Sequence, residues 1–487
     1  MFFLRIFYAL ILLLLSYGMT RDYADTEQQQ KPNIIFILAD DLGVSDVNSF
    51  DELGRTYYET PNIDKLAREG MKFMQAYTNA ANCAPTRAAM LSGQYYPNQP
   101  IYHVGRPGAG RVESGEMISA ENADELPLEK ITDAEILKRA GYKTALIGKW
   151  HIGVPPEYGP QQQGYDVNIG GTGEGNPTAW EGGYFQPNNN SEISDANEGE
   201  YLTDYLTRKA VEFISENRNG LFYLNMAYYT PHLPLHAPDS LVQKYEQKQP
   251  DRGHDNPTYA AMIELLDTNV GKIVNAVDGL GIAENTLIIF YSDNGGLGGY
   301  EFLGIEGENV YIQGVTDNSP LKGGKTTYYE GGIRSPFIAR WPGRIEPGST
   351  SKEPVIGIDF YPTYLELAGL SEPENYELDG VSIVPLFNNP DADLTREAMF
   401  WHFPGYPNSR WRTGPVSVVR SGPWKLMKFY ATDQIELYNL SDDPYEENNL
   451  AEQMPDQIKM MKRKLEIWLA ETDAPFPSWP QEKNNQR

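Results

Sequence analysis

NIIFILADD, residues 33–41, is a nearly unbroken apolar run that ends in two adjacent aspartates. It reads as a buried strand. TALIG (144–148), LFYLNMAY (221–228) and TLIIFYS (286–292) read the same way. Around them, PNIDKLAREG (61–70), TDAEILKRAG (132–141), EYLTDYLTRKAVEFISEN (200–217) and PTYAAMIELLDTNVGKIVNAVDGLG (257–281) carry helical periodicity with turn residues at an end. Short apolar strands alternating with helices predict an α/β fold with a largely parallel sheet.

In such a sheet, ligands bind beyond the carboxyl ends of the strands, so the residues after each run matter most. The first run leads into Asp40 and Asp41, the second into Lys149 and His151, the third into Thr230 and His232, and the fourth into Asp293 and Asn294. Any one of these alone reads as a helix cap or turn residue. Together they bring three acids, an amide, a lysine and two histidines to one edge, which makes a candidate site.

A chain of 487 residues, 40% hydrophobic and 12% aromatic, exceeds the usual size of one hydrophobic core, so one large and one smaller unit are expected. Residues 399–440 hold short alternating strands and residues 452–472 an amphipathic helix, which predicts a small C-terminal antiparallel sheet with one helix. The expected boundaries are 31–371 and 372–487. Asn, Gly and Glu are dense between 170 and 200, the composition of a long surface excursion. The net charge is −27, which excludes a nucleic-acid-binding surface; an anionic ligand must be held by a local cluster of cations.

MFFLRIFYALILLLLSYGMT (1–20) sets Arg5 before the apolar run Ile6–Leu15. Residues 1–25 therefore read as a secretory signal peptide, and the protein as exported to the periplasm or beyond, with no membrane span after cleavage. Export favours disulfides, yet Cys83 is the only cysteine. It is a buried structural thiol, an intermolecular link or a reactive group.

CAPTR (83–87), followed by AAMLSG, resembles the signature of the type I sulfatases, in which a cysteine or serine heading C/S-x-P-x-R is converted to formylglycine. PNIIFILADDLG (32–43), GKWHIG (148–153), TPHLPLHAP (230–238), YSDNGG (291–296) and GGKTTYYEGGIRSP (323–336) are similar to further blocks of that family, in its order. Thr86 stands where serine is commoner. The resemblance implies an alkaline-phosphatase-like α/β fold: a large mixed, mostly parallel sheet flanked by helices, with a smaller C-terminal antiparallel sheet plus helix. It also implies a sulfatase, and a formylglycine-generating or equivalent maturation enzyme as partner.

Cys83 lies before Pro85 at the start of a helix-like run, where N–H groups and the helix dipole favour an anion. As an aldehyde it would hydrate to a diol, one hydroxyl attacking sulfur and the other remaining to expel sulfate. By match to the family's blocks, Arg87 holds the diol, Lys149 and Lys325 bind sulfate oxygens, His151 contacts the diol, and His232 protonates the departing alkoxide. The spacing to YEGG selects Lys325 over Lys322. The implied metal ligands are Asp40, Asp41, Cys83 as formylglycine, Asp293 and Asn294, an oxygen-rich set that suits Ca²⁺, with Mg²⁺ second. A two-zinc phosphatase often has a histidine where Asn294 stands.

The expected substrate is a sulfated carbohydrate, an algal polysaccharide or glycosaminoglycan oligosaccharide, touched by His236, His402, Arg410 and Arg412. His236 is equally readable as packing, and Trp401, Trp411 and Trp424 read as core or interface residues before sugar platforms. The alternatives are a phosphonate or phosphodiester hydrolase using the same formylglycine, and a catalytically silent Ca²⁺-dependent glycan-binding protein. Cys83, Arg87, Lys149, His151, His232 and Lys325 together argue against the silent reading.

Overall fold

The computed structural model describes residues 31–105, 117–186, 188–298, 300–303, 309–312, 314–405 and 414–480. The signal-peptide reading of 1–25, Arg410, Trp411 and Arg412 lie outside these residues. Eight strands form the main sheet: Asn33–Ala39 (β1), Met71–Phe73 (β2), Lys143–Gly148 (β3), Val167–Ile169 (β4), Phe222–Ala227 (β5), Thr286–Ser292 (β6), Phe337–Arg340 (β7) and Ser349–Ser351 (β8). Their spatial order is β8-β2-β7-β6-β1-β5-β3-β4. All neighbours run parallel except β7, which is antiparallel to both β2 and β6.

The four strands legible in the sequence are thus consecutive at the centre. β1 lies between β5 and β6, with Ile37 in register with Met226 and Phe290. Both faces of β1 are covered, which is why it shows no polar alternation. Ile35 and Ile37 pack in the layer that contains helices Leu202–Asn217 and Pro257–Gly279. Ile34, Phe36 and Leu38 pack on the other side, with helices Cys83–Ser92, Asp133–Arg139 and Phe360–Ala368. Each large apolar side chain buried in this way contributes about 1.5–3 kcal/mol.

Met399–Phe403 (β9), Val416–Ser421 (β10), Trp424–Phe429 (β11) and Ile435–Asn439 (β12) form an antiparallel meander. Helix Pro455–Glu471 covers it through Met461, Leu465, Trp468 and Leu469. The same apolar cluster includes Tyr77, Ala81, Ala89, Tyr328 and Ile333, so the small sheet packs directly behind the segments that carry CAPTR and GGK. Trp401 is buried there, its indole N–H donating to the Thr78 carbonyl at 2.7 Å. Ile383, Leu386, Phe387 and Leu394 belong to the core of the large sheet, although they follow residue 372.

The excursion at 170–200 is pinned rather than loose: Asn190 Nδ2 donates to the Gly170 carbonyl and Asn188 Nδ2 to that of Gly183, both at 3.0 Å. Among the described residues no helix is long and apolar enough to cross a membrane.

Candidate active site

The carboxyl ends of β1 and β6 lie side by side, so Asp40, Asp41, Asp293 and Asn294 meet. Asp41 adopts a left-handed φ of 64°, a conformation that costs a non-glycine residue energy and that clusters at functional sites. Its N–H donates to Asp293 Oδ1 at 3.2 Å, and its Oδ1 accepts from Asn294 Nδ2 at 2.9 Å. Each carboxylate also faces one cation. Lys149 Nζ donates to Asp40 Oδ2 and Lys325 Nζ to Asp41 Oδ2, both at 2.7 Å. Arg87 grips Asp293 Oδ2 with Nε at 3.0 Å and Nη2 at 2.7 Å, while its Nη1 donates to the Lys149 carbonyl.

Two oxygens in this group, Asp40 Oδ1 and Asn294 Oδ1, are buried without a hydrogen-bond partner. A buried polar atom in that state is costly unless something else meets it. Donor atoms of Asp40, Cys83 and Asp293 lie within 4.8 Å of one another, as do those of Asp40, Asp41 and His232. Burial pushes the Asp40 carboxyl well above the ordinary range; Lys149 pulls it down, and Asp293 and Asp41 add to the rise. Crowded acids with orphaned oxygens fit a hard divalent cation.

Cys83 is the first residue of its helix, with Asn82 as N-cap, the Asn82 Oδ1 accepting from the Cys83 N–H at 3.0 Å. Pro85 falls in the first turn, where its missing N–H costs nothing. The departure at Thr86 is accommodated, because its hydroxyl donates to the Ala80 carbonyl at 3.0 Å and accepts from the Ala80 N–H at 3.1 Å, as a serine would. Burial raises the Cys83 thiol above its usual range despite Lys149 and Lys325. An unmodified thiol here is held protonated and is a poor nucleophile.

Gly148 ends β3 with φ 110°, and a Cβ there would lie 1.8 Å from the Ala227 carbonyl oxygen, so only glycine allows the Lys149 N–H to reach that same oxygen at 2.7 Å. His151, also left-handed at φ 67°, brings Nδ1 to 3.5 Å from the Cys83 sulfur. Burial and the charges of Lys149 and Arg87 push its pKa well below the usual value, so it is a neutral base. His232 Nδ1 lies 2.8 Å from the Leu233 carbonyl, which makes Nδ1 the N–H side. Nε2 then accepts from Lys325 Nζ at 3.1 Å, 3.4 Å from Asp41 Oδ2. Burial, opposed by Asp41 and reinforced by Lys325, takes the His232 pKa down to about 3.

Cys83, His151, His232 and Lys325 line the bottom of a cleft of about 560 Å³. His103 and Glu174 on its walls carry no motif that sequence reading could use. Gly175 passes so close to His151 that a Cβ would lie 2.3 Å from Nε2, a contact the sequence spacing does not announce. The Tyr184 hydroxyl lies 2.7 Å from the Tyr229 carbonyl and 2.8 Å from that of His232, anchoring the histidine from the excursion. A larger groove of about 820 Å³ opens at the opposite edge, around Asn33, Arg218 and Arg344, and holds none of the clustered acids, cysteine or histidines.

Of the expected substrate-contact residues, His402 is corrected to a packing residue. It is 4% exposed, both ring nitrogens are satisfied, by Ser417 Oγ at 2.6 Å and the Pro475 carbonyl at 2.8 Å, and it is not on the cleft wall. His236 is exposed and set edge-on against Phe185, with ring centroids 4.6 Å apart, outside the cleft lining. Lys322 points away, to the Tyr438 hydroxyl and the Glu446 carbonyl.

The Sulfatase family matches residues 32–370, and the family described as N-sulphoglucosamine sulphohydrolase, C-terminal, matches 324–472. A sulfatase of Formosa agariphila is 35% identical over 96% of this chain and 94% of its own length. The N-acetylgalactosamine-6-sulfatase of Canis lupus familiaris is 32% identical over 77% of this chain and 69% of its own. The crystal structure of Ps i-CgsB superposes with a TM-score of 0.73 at 32% identity, covering 93% of this chain and 96% of that one. Its complex with k-i-k-neocarrahexaose matches at 30% with the same score and coverage. With the site geometry and these matches together, the chain belongs to the sulfatase family and is a sulfuric ester hydrolase.

Proposed function

We propose that the protein removes sulfate from sulfated carbohydrate, a galactan or glycosaminoglycan oligosaccharide, after Cys83 has been converted to formylglycine by a maturation enzyme, and that it does so outside the cytoplasm. The observation that carries this is Cys83 at a helix N-terminus on the floor of a cleft, with Arg87, Lys149 and Lys325 around it. Among the relatives, N-acetylgalactosamine-6-sulfatase and a neocarrahexaose complex support an acetylated amino sugar or a galactan, while a steryl-sulfatase matches to a similar degree, so the carbohydrate reading rests on the first two.

In this reading Asp40, Asp41, Asp293 and Asn294 hold Ca²⁺, with Mg²⁺ second, which would supply positive charge beside the sulfate oxygens. Hydrated formylglycine at 83 would supply an oxygen nucleophile and a second hydroxyl for sulfate release. Arg87 stays locked on Asp293 and orients residue 83. Lys149 and Lys325 hold sulfate oxygens. His151, kept neutral, takes the proton of the second hydroxyl at Nδ1. His232 and the Lys325 ammonium on its Nε2 form the pair that delivers a proton to the departing sugar oxygen.

The test is a desulfation screen on defined carrageenan and N-acetylgalactosamine-sulfate oligosaccharides, using protein produced with a formylglycine-generating enzyme and checked by peptide mass spectrometry at residue 83. Release of sulfate by aldehyde-bearing protein is the expected result. Equal turnover by protein with an intact thiol would overturn the mechanism.

A further inference from the structure

Glu330 lies in the GGKTTYYEGGIRSP block, and the mechanism above does not use it. Its side chain is 1% exposed and shared among three donors. Oε2 accepts from the Tyr77 hydroxyl at 2.6 Å and from Arg334 Nη1 at 3.2 Å, and Oε1 accepts from Lys425 Nζ at 2.8 Å. The Glu330 N–H donates to Glu446 Oε2 at 2.7 Å, and Lys425 Nζ reaches Glu446 Oε1 at 2.7 Å. Lys425 stands on β11 and Glu446 follows β12, so the C-terminal sheet supplies two members of a buried ionic trio.

Such a trio is a weak source of stability, since apolar residues of similar volume often serve as well or better. What it supplies is direction. The Glu330 N–H and the Tyr77 hydroxyl are fixed in place, and each belongs to a segment that leads to a reacting group. Tyr77 begins the stretch that ends at Cys83, and Glu330 closes the loop that carries Lys325.

That loop has no slack. Gly331 N–H donates to the Lys322 carbonyl at 2.8 Å and Lys325 N–H to that of Gly296 at 2.9 Å. A Cβ at Gly332 would lie 2.0 Å from the Thr327 carbonyl oxygen. Thr326, left-handed at φ 75°, donates its N–H to Ala81 beside the nucleophile at 2.7 Å. Lys322 Nζ adds an outer strut, 3.2 Å from the Tyr438 hydroxyl and 3.3 Å from the Glu446 carbonyl.

We propose that Lys425 is a positioning residue for catalysis: with Glu330 and Glu446 it clamps the loop from the C-terminal sheet and holds the Lys325 ammonium against Asp41 and His232. This rests on the reading of Lys325 as a sulfate ligand. The small sheet then serves as a jig for the active site and not only as a cover.

The test is a double-mutant cycle in the full chain, matured to formylglycine, with Lys425→Met, Lys325→Ala, the double variant and Lys425→Arg. kcat/KM is measured on 4-nitrophenyl sulfate, and melting curves fix the folded fraction. Lys425→Met is expected to lower kcat/KM about 10- to 100-fold when Lys325 is present and less than about twofold when it is alanine, with Lys425→Arg partly restoring the rate. The same fold-loss in both backgrounds, or an unchanged rate in folded Lys425→Met, would overturn the proposal. Lys325→Ala turning over at the wild-type rate would overturn the sulfate-ligand reading and this inference with it. If Lys425→Met does not fold, Glu446→Gln goes through the same cycle under the same criteria.

Discussion

Gly175→Ala isolates the placement of His151 from its chemistry. The new methyl carbon would stand 2.3 Å from His151 Nε2 and 2.5 Å from Cε1, where ordinary contact begins near 3.4 Å, so ring or loop must give by about 1 Å. Gly175 has no left-handed φ, so alanine meets no backbone penalty of its own. Nδ1 of the same ring is 3.5 Å from the residue 83 sulfur, and a displacement of about 1 Å in a reacting constellation costs about 100-fold in rate. The expectation is a fall of about that size in kcat/KM on an aryl sulfate, with a far smaller change in melting temperature. Gly279→Ala serves as control: it is the last residue of its helix and its Cβ meets nothing within 4 Å, so it should leave both the melting temperature and the rate nearly unchanged. Gly175→Ala turning over within threefold of wild type would show that His151 is not held by this contact, or that its position is immaterial.

A strong calcium chelator should stop turnover and added Ca²⁺ restore it; full activity in metal-free protein would remove the cation from the mechanism. Asp293→Ala should abolish activity and, by stranding the buried Arg87 guanidinium, cost about 3–5 kcal/mol in denaturant unfolding. His232→Ala should slow sugar sulfates by about 10² to 10⁴ but aryl sulfates with acidic phenols far less, since those depart without a proton; equal losses would make His232 a sulfate or metal-shell residue. Burial, opposed by the Tyr223 hydroxyl, pushes the Asp133 carboxyl up to about 7. A raised acid pKa means the folded state holds the proton longer, so this group's contribution is full below about pH 4 and is lost as pH rises through 7, up to about 4 kcal/mol. Asp133→Asn should therefore raise the melting temperature at pH 8 and not at pH 4, and equal shifts at both would refute that origin.

How much of this was legible depended on whether the cause is local. NIIFILA and TLIIFYS coincide with β1 and β6 residue for residue, because a strand buried on both faces has to be apolar throughout. The charged residues after the four central strands could be grouped in advance, since parallel strands in one sheet end at one edge. Three- and four-residue strands such as β2 and β7 gave no comparable signal, and the antiparallel step at β7 went unread. His402 misled because its partners are made by pairing: β9 and β10 set it opposite Ser417, and Pro475 returns from beyond the last helix. Gly175 over His151 and Tyr184 behind His232 are contacts between a loop and a strand end in space, with no spacing rule to announce them.

In the proposed mechanism, the charges in the cleft explain why acids assigned to a cation and bases assigned to sulfate occur together. Lys149, Lys325 and Arg87 look in the sequence like a surplus of positive charge gathered against a net −27. In the fold each is matched, 2.7 Å from Asp40, Asp41 and Asp293 respectively. Three cations against three carboxylates leave little net attraction for an anionic ester, so the lysines and arginine alone cannot make the pocket electropositive. The unmatched oxygens, Asp40 Oδ1 and Asn294 Oδ1, belong to one of the paired carboxylates and to the amide that donates to Asp41. A divalent ion bound there would meet them and turn a balanced pocket into a positive one, with the three cations still held by their hydrogen bonds to the acids. Removing the acids to leave a more positive pocket should therefore weaken sulfate turnover, the opposite of what simple charge attraction predicts: Asp40→Asn adds a full positive charge to the balance yet takes away a ligand and the Lys149 anchor. A gain of kcat/KM in Asp40→Asn on a small aryl sulfate would show that bulk charge, not the ordered pairing, governs binding in this cleft.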